Sequence, residues 1–176
     1  KCSEYNGDLI GEIIREGMQE LGIVPQGNIL LKPNTVIAHR EIFPHAFNRK
    51  EFLDGAISAT KAMAEDPKEI AVGERSGITI PTRYCFQQAG YPEVIKQHGI
   101  KTHYFDEVKQ VPVAIKGKDN LRKQLFMPKP IVDADFLINL PKFKAHPWSR
   151  MTLSLKNFIG IQDDRHRLVD HNQFLE

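Results

Sequence analysis

The sequence predicts an α/β domain: a mostly parallel sheet with helices on both faces, plus a β-hairpin excursion near residues 108–130. Three observations predict it. Short continuous apolar runs bounded by Gly, Pro or Asn read as strands buried on both faces. Other stretches repeat apolar residues at the three- and four-residue spacing of a helix. The two kinds alternate along the chain, which is the pattern of βαβ units and a parallel sheet.

The elements follow in order. Asp8 to Leu21 places Leu9, Ile10, Ile13, Ile14, Met18 and Leu21 on one helical stripe, and Gly22 supplies its stop. Ile29, Leu30 and Leu31 form the first buried run. Asn48 with Glu51 three residues on resembles a capping box, opening a helix through Phe52, Ala56, Ile57, Ala59 and Met63. Ile70 to Val72 is a second buried run, ending in a Gly-flanked polar turn. "TRYCFQQAGY" reads as a helix stopped at Gly90. "PEVIKQHG" reads as another, with Pro92 in its first turn and Gly99 past its end. "IKTHYFD" is a strand. "VPVAI" and "LRKQLFM" flank "KGKDN" as the arms of a hairpin. Phe136 to Asn139 is a further buried strand, and the polar "QDDRHRLVDHNQ" after Gly160 reads as a surface helix or loop.

Bulk composition bounds the function. The 176 residues are 41% hydrophobic and 26% charged, with a formal net charge of +2. That excludes a disordered chain and gives no global reason to invoke nucleic acid. The aromatics of the basic stretch (Phe143, Trp148 and Phe158) lack a regular stacking pattern, which argues the same way. Cys2 and Cys85 are the only cysteines, so no cysteine-ligated iron–sulfur cluster is expected in this chain. No apolar run approaches the roughly 20 residues that span a bilayer. The compartment is left open, with the cytoplasm slightly favoured. Residues 1–176 are expected to form a single α/β domain that is an incomplete part of a larger one.

The polar groups collect after strands. Lys32-Pro33-Asn34 follows the first buried run, Gly73 to Gly77 the second, and Asn139-Leu140-Pro141-Lys142 a later one. Parallel strands end on one edge of the sheet, and ligands of open α/β sheets bind there. Between Phe136 and Gln162 stand four basic residues (Lys142, Lys144, Arg150 and Lys156) and no Asp or Glu. A cleft lined by one sign of charge concentrates a ligand of the other sign. The expected ligand is therefore a small anionic organic molecule or phosphorylated cofactor.

Lys32, Lys142, Lys144 and Lys156 would supply positive charge, and Asn34, Asn139 and Asn157 would orient the ligand. Lys142, His146 and Glu74 are the candidates for moving protons or attacking. Lys142, Lys144 and His146 would share a face if the strand continues through them. Each has a plainer reading: the lysines as solvated groups, Glu74 as a salt-bridge partner for one of them, and Lys156 as a paired or snorkelling side chain. "GERSG" lacks the spacing of a nucleotide-phosphate loop. His166 and His171, with Asp163, Asp164 and Asp170 nearby, are a metal candidate, but five residues is a poor spacing for one helical face. His39 and His45, beside Arg40 and Arg49, lie in a loop.

"LLKPN" (Leu30 to Asn34), "GERSG" (Gly73 to Gly77), "AGY" (Ala89 to Tyr91), "DADFLINLPKFKAH" (Asp133 to His146) and "LSLKNFIG" (Leu153 to Gly160) occur in that order. With these motifs the chain resembles domain-of-unknown-function family 362. The resemblance implies an α/β domain associated with ferredoxin-like iron–sulfur modules, whose cysteines hold the cluster. It also implies a distant similarity to the nickel-pincer lactate racemase group. An isomerase-like or redox reaction and a non-catalytic docking module for a ferredoxin-like partner are both open on this basis.

Overall fold

A computed structural model of the protein describes residues 2, 4–116, 123–146, 150–165 and 167. The chain forms α1 (Gly7–Glu20), β1 (Gln26–Lys32), α2 (Lys50–Met63), β2 (Glu65–Glu74), α3 (Thr82–Ala89), α4 (Tyr91–His98) and β3 (Lys101–Tyr104). It continues through β4 (Gln110–Ala114), β5 (Gln124–Pro128), α5 (Lys129–Asp133), β6 (Phe136–Asn139), β7 (Lys144–His146), β8 (Arg150–Thr152), α6 (Ser154–Asn157) and a 3-10 turn (Phe158–Ile161).

The apolar runs become the centre of a four-stranded, wholly parallel sheet in the order β3-β2-β1-β6. Leu30 pairs with Ala71 and Leu137, and Leu31 with Val72 and Ile138. Alternation along the strands then sends these rows to opposite faces. On one face Leu31 and Val72 meet Leu53 and Ile57 of α2, Cys85 and Phe86 of α3, and Tyr91 and Ile95 of α4 in the main core. On the other face Leu30 and Ala71 pack with Phe105 and, more loosely, with Ile131 and Ala134 from and beside α5. Helices thus cover both faces, but unequally. A cavity of about 390 Å³ lies over the thinner side, with Leu30, Ala71 and Val108 beneath and Lys109, Lys129 and His103 among its polar lining.

Helix ends follow the expected chemistry with one exception. Asn6 caps α1, its side chain accepting from the Leu9 N–H at 3.0 Å. Gly22, Gly90 and Gly99 take left-handed φ values at the expected stops. The capping box at Asn48 does not form: α2 starts at Lys50, and its cap residue Arg49 makes no side-chain cap bond. The Asn48 carboxamide accepts from the Asn34 N–H at 2.6 Å instead, tying two loops together.

The hairpin expected near 108–130 is β4 and β5, antiparallel from Gln110↔Pro128 to Ala114↔Gln124. Most of "KGKDN" between them lies outside the described residues. A second hairpin, β7–β8, and the short α5 are additions to the sequence expectation. No described helix is long and apolar enough to cross a membrane.

Candidate functional site

The carboxyl ends of β1, β2 and β6 deliver Lys32, Glu74 and Asn139 to one edge of the sheet. From β1 the chain winds through β2 and β3 to one side, and β6 joins on the other. The crevice outside β1 and β6 is therefore the topological switch point, where open α/β sheets bind ligands.

The lowest layer of the site is an ion pair. The Lys32 ammonium lies 2.8 Å from both carboxylate oxygens of Glu74, and the two residues are 0% and 1% exposed. Glu74 also accepts from the Arg75 N–H at 2.8 Å. Burial pushes the Glu74 carboxyl up and the Lys32 ammonium down, and the charge of each partner opposes the shift. Arg167, itself buried, adds its field to both. Gly160 of the 3-10 turn closes over the pair. A Cβ there would stand 2.3 Å from a Glu74 carboxylate oxygen and 3.1 Å from the Lys32 ammonium, so only glycine lets the turn approach.

Above the pair is a layer of amides. Asn157, buried in α6, accepts from the Asn34 carboxamide at 2.8 Å and donates to Asn139 at 2.7 Å. It also donates to the Lys32 carbonyl at 3.2 Å. Lys144 completes this layer: its ammonium donates to the Asn34 carboxamide oxygen at 2.8 Å and to the Ala46 carbonyl at 2.6 Å. Both acceptors are uncharged, so unlike Lys32 it touches no carboxylate there. Burial, with a smaller contribution from Lys142, brings its pKa down to about 8, against a raising influence from Glu74.

The turn after β2 is anchored rather than open. Arg75 donates to the carbonyls of Gln162 and, at 2.5 Å, of Phe105. Ser76 donates its hydroxyl to the Thr35 carbonyl at 2.7 Å. The Thr35 hydroxyl and Arg75 Nε are buried and find no hydrogen-bond partner among the described residues. A cavity of about 280 Å³ adjoins this turn, with Asp106 and Asp164 in its wall beside Arg75.

Of the candidates read from the sequence, Lys32, Glu74, Asn34, Asn139, Asn157 and Lys144 form one hydrogen-bonded cluster. Lys142 points elsewhere. Its ammonium lies 3.3 Å from the Tyr5 hydroxyl, and the chain between β6 and β7 is not strand, so Lys142 and Lys144 diverge. His146 ends β7 opposite Arg150, and Lys156 lies in α6; both are partly buried. Sequence reasoning assigned no role to Thr35, Gly160 or Arg167, and read Asn48 only as a helix cap. Asn48 was readable as a polar residue at a helix start, but its partner across the loop was not.

Cys2 is exposed and Cys85 is fully buried in the core. Of the proposed metal candidates, His166, Asp170 and His171 lie outside the described residues. Among the described residues no group of three or more His, Cys, Asp or Glu could hold a metal ion. In the loop after β1, His39 Nδ1 accepts from the backbone N–H groups of Glu41 and Ile42, and Arg40 donates to the Gln87 and Gln88 carbonyls at the end of α3.

A family model described as domain of unknown function (DUF362) matches residues 29–176. That span runs from the middle of β1 onward and takes in the whole of the cluster. No curated protein and no solved structure gives a significant match.

Proposed function

The chain belongs to the DUF362 family of unknown function, and we propose that it binds a small anionic organic ligand or phosphorylated cofactor at the carboxyl edge of its sheet. One observation carries the reading: Lys144 is a cation held at the switch-point crevice by two uncharged acceptors. A partly buried cation whose two hydrogen-bond acceptors are uncharged is an electrostatic cost that a bound anion relieves.

The roles divide by layer. Lys144 meets the anion. Asn34, Asn139 and Asn157 fix the geometry around it, because each is already locked by its neighbours. Lys32 neutralises Glu74 and so adds little net charge. Lys142, turned to Tyr5, and Lys156, in α6, stand apart from the cluster and add positive charge only at longer range. Glu74 is the group with a displaced proton affinity, and a proton passed between it and Lys32 would alter the field under the ligand. His146 is the candidate for exchanging that proton with solvent. An isomerase-like or redox step at this site would use those groups. Docking of a ferredoxin-like partner is the alternative suggested by the family's associations.

Calorimetric titration with pyrophosphate and with malonate tests the reading. The wild type is expected to bind at least one of them. Lys144→Met should weaken binding by about tenfold or more, as loss of a charged hydrogen-bond donor does. Lys142→Ala and Lys156→Ala should weaken it less. If neither probe binds, or if Lys144→Met binds as the wild type does, the proposal is wrong.

A further inference from the structure

The cavity of about 390 Å³ on the thinner face of the sheet is separate from the cluster at the carboxyl edge, and none of the residues joined in that cluster lines it. Phe105 is fully buried against Leu30 and over Gly73, the next residue after Ala71 on that face of β2. It therefore stands between the cavity's floor and that edge. The floor is apolar, formed by Leu30, Ala71 and Val108. A concave, mostly apolar surface of about 300–1,000 Å³ with a few polar groups that fix orientation is how small-molecule sites are built.

The polar groups on its wall are not equivalent. Asp133 accepts from Lys129 at 2.5 and 2.7 Å. Glu69 accepts from Lys101 and, at 3.2 Å, from His103 Nε2. The Lys101 hydrogen bond, and after it that of His103, holds the Glu69 carboxyl below its ordinary value against the effect of burial. Both wall carboxylates thus have partners of their own. Two groups remain. The Lys109 ammonium has no hydrogen bond or ion pair among the described residues. With its Nε2–H given to Glu69, the His103 ring keeps Nδ1 as an acceptor, and no described residue bonds to it.

We propose that this cavity binds a small carboxylic acid that carries an apolar body and a hydroxyl group. The carboxylate meets Lys109, the apolar body covers Leu30, Ala71 and Val108, and the hydroxyl donates to His103 Nδ1. Glu69 is a positioning residue that fixes the tautomer of the imidazole. A cationic ligand fits less well, because Lys109 repels it and the carboxylates it would seek are already engaged. The site is independent of the anion reading at the carboxyl edge.

Titration of the 176-residue chain with para-hydroxyphenylacetate, followed through backbone amide NMR shifts, tests the proposal. Binding is expected to shift Ala71 and His103. Phenylacetate, which lacks the hydroxyl, should bind about threefold or more weaker. Tyramine, which carries an ammonium in place of the carboxylate, should bind about tenfold or more weaker. Lys109→Met should weaken para-hydroxyphenylacetate by about threefold or more, the modest effect of an exposed and partly screened cation. Pyrophosphate in excess should not displace the acid, which separates this site from the one at the carboxyl edge. Four results would each overturn the proposal. They are no shift at Ala71 and His103 at millimolar acid, tyramine binding as tightly as the acid, Lys109→Met binding as the wild type does, and displacement by pyrophosphate.

Discussion

Glu74 and Lys32 show most clearly what single residues contribute. Each is shielded from water and each is the other's only close opposite charge among their described hydrogen bonds and ion pairs. Removing one partner leaves the other buried and uncompensated. Removing both leaves an apolar gap that Met and Leu can fill. Glu74→Gln should therefore cost about 3–5 kcal/mol. The double variant Lys32→Met/Glu74→Leu should be more stable than that single variant. Urea unfolding of the three proteins checks this, and a double variant weaker than Glu74→Gln would show that the pair is more than an electrostatic balance. A lysine in "LLKPN" and a glutamate in "GERSG" were both legible as polar residues after strands. A salt bridge from Glu74 to one of the lysines was legible too, but that its partner is Lys32 was not, because this depends on β1 and β2 being neighbours in register.

At the scale of elements, α1 and α2 pack backbone against backbone. A Cβ on Gly55 would lie 2.6 Å from the Gly7 carbonyl oxygen and 2.7 Å from the Gly11 nitrogen, which are backbone atoms that cannot step aside. Gly55→Ala should thus destabilise by about 1–3 kcal/mol through forced separation of the helices. Gly17, on the same α1 with open space around it, is the opposite case: Gly17→Ala should stabilise by about 0.5–1 kcal/mol. Thermal or urea unfolding of both variants decides whether close packing or helix propensity governs this layer. The strands β1, β2 and β6 were legible because buried parallel strands leave continuous apolar runs. The β7–β8 hairpin was not. Its inward residues are Lys144 and Thr152 while Phe143 and Met151 face solvent, so its pattern inverts the usual one. α5 spans only five residues, too few for a periodic signal.

Across the whole molecule, the order β3-β2-β1-β6 turns three polar turns, far apart in sequence, into one cluster. Alternating elements predicted a shared edge, and that much of the site could be read in advance. The vertical order within it could not. Which lysine is neutralised and which keeps its charge depends on side-chain directions: Lys32 turns to Glu74, Lys142 to Tyr5 and Lys144 to Asn34. The acid-free run from Phe136 to Gln162 is likewise divided by the fold. Lys144 faces the crevice, while Phe143 and Met151 turn to the exterior.

The claim that Lys144 receives an anion makes a signed prediction about pH. Its pKa of about 8 means the ammonium is charged below that value and neutral above it. Anion affinity should then be highest below pH 8 and fade as pH rises through 8. By linkage, a bound anion must raise the lysine's pKa. The most direct measurement follows the Lys144 side chain by NMR through a pH titration, with and without pyrophosphate. The account predicts a midpoint near 8 in the free protein that moves upward, by about one unit for each tenfold preference for the charged form, when pyrophosphate is present. A midpoint unchanged by saturating pyrophosphate, malonate and phosphate alike would contradict it.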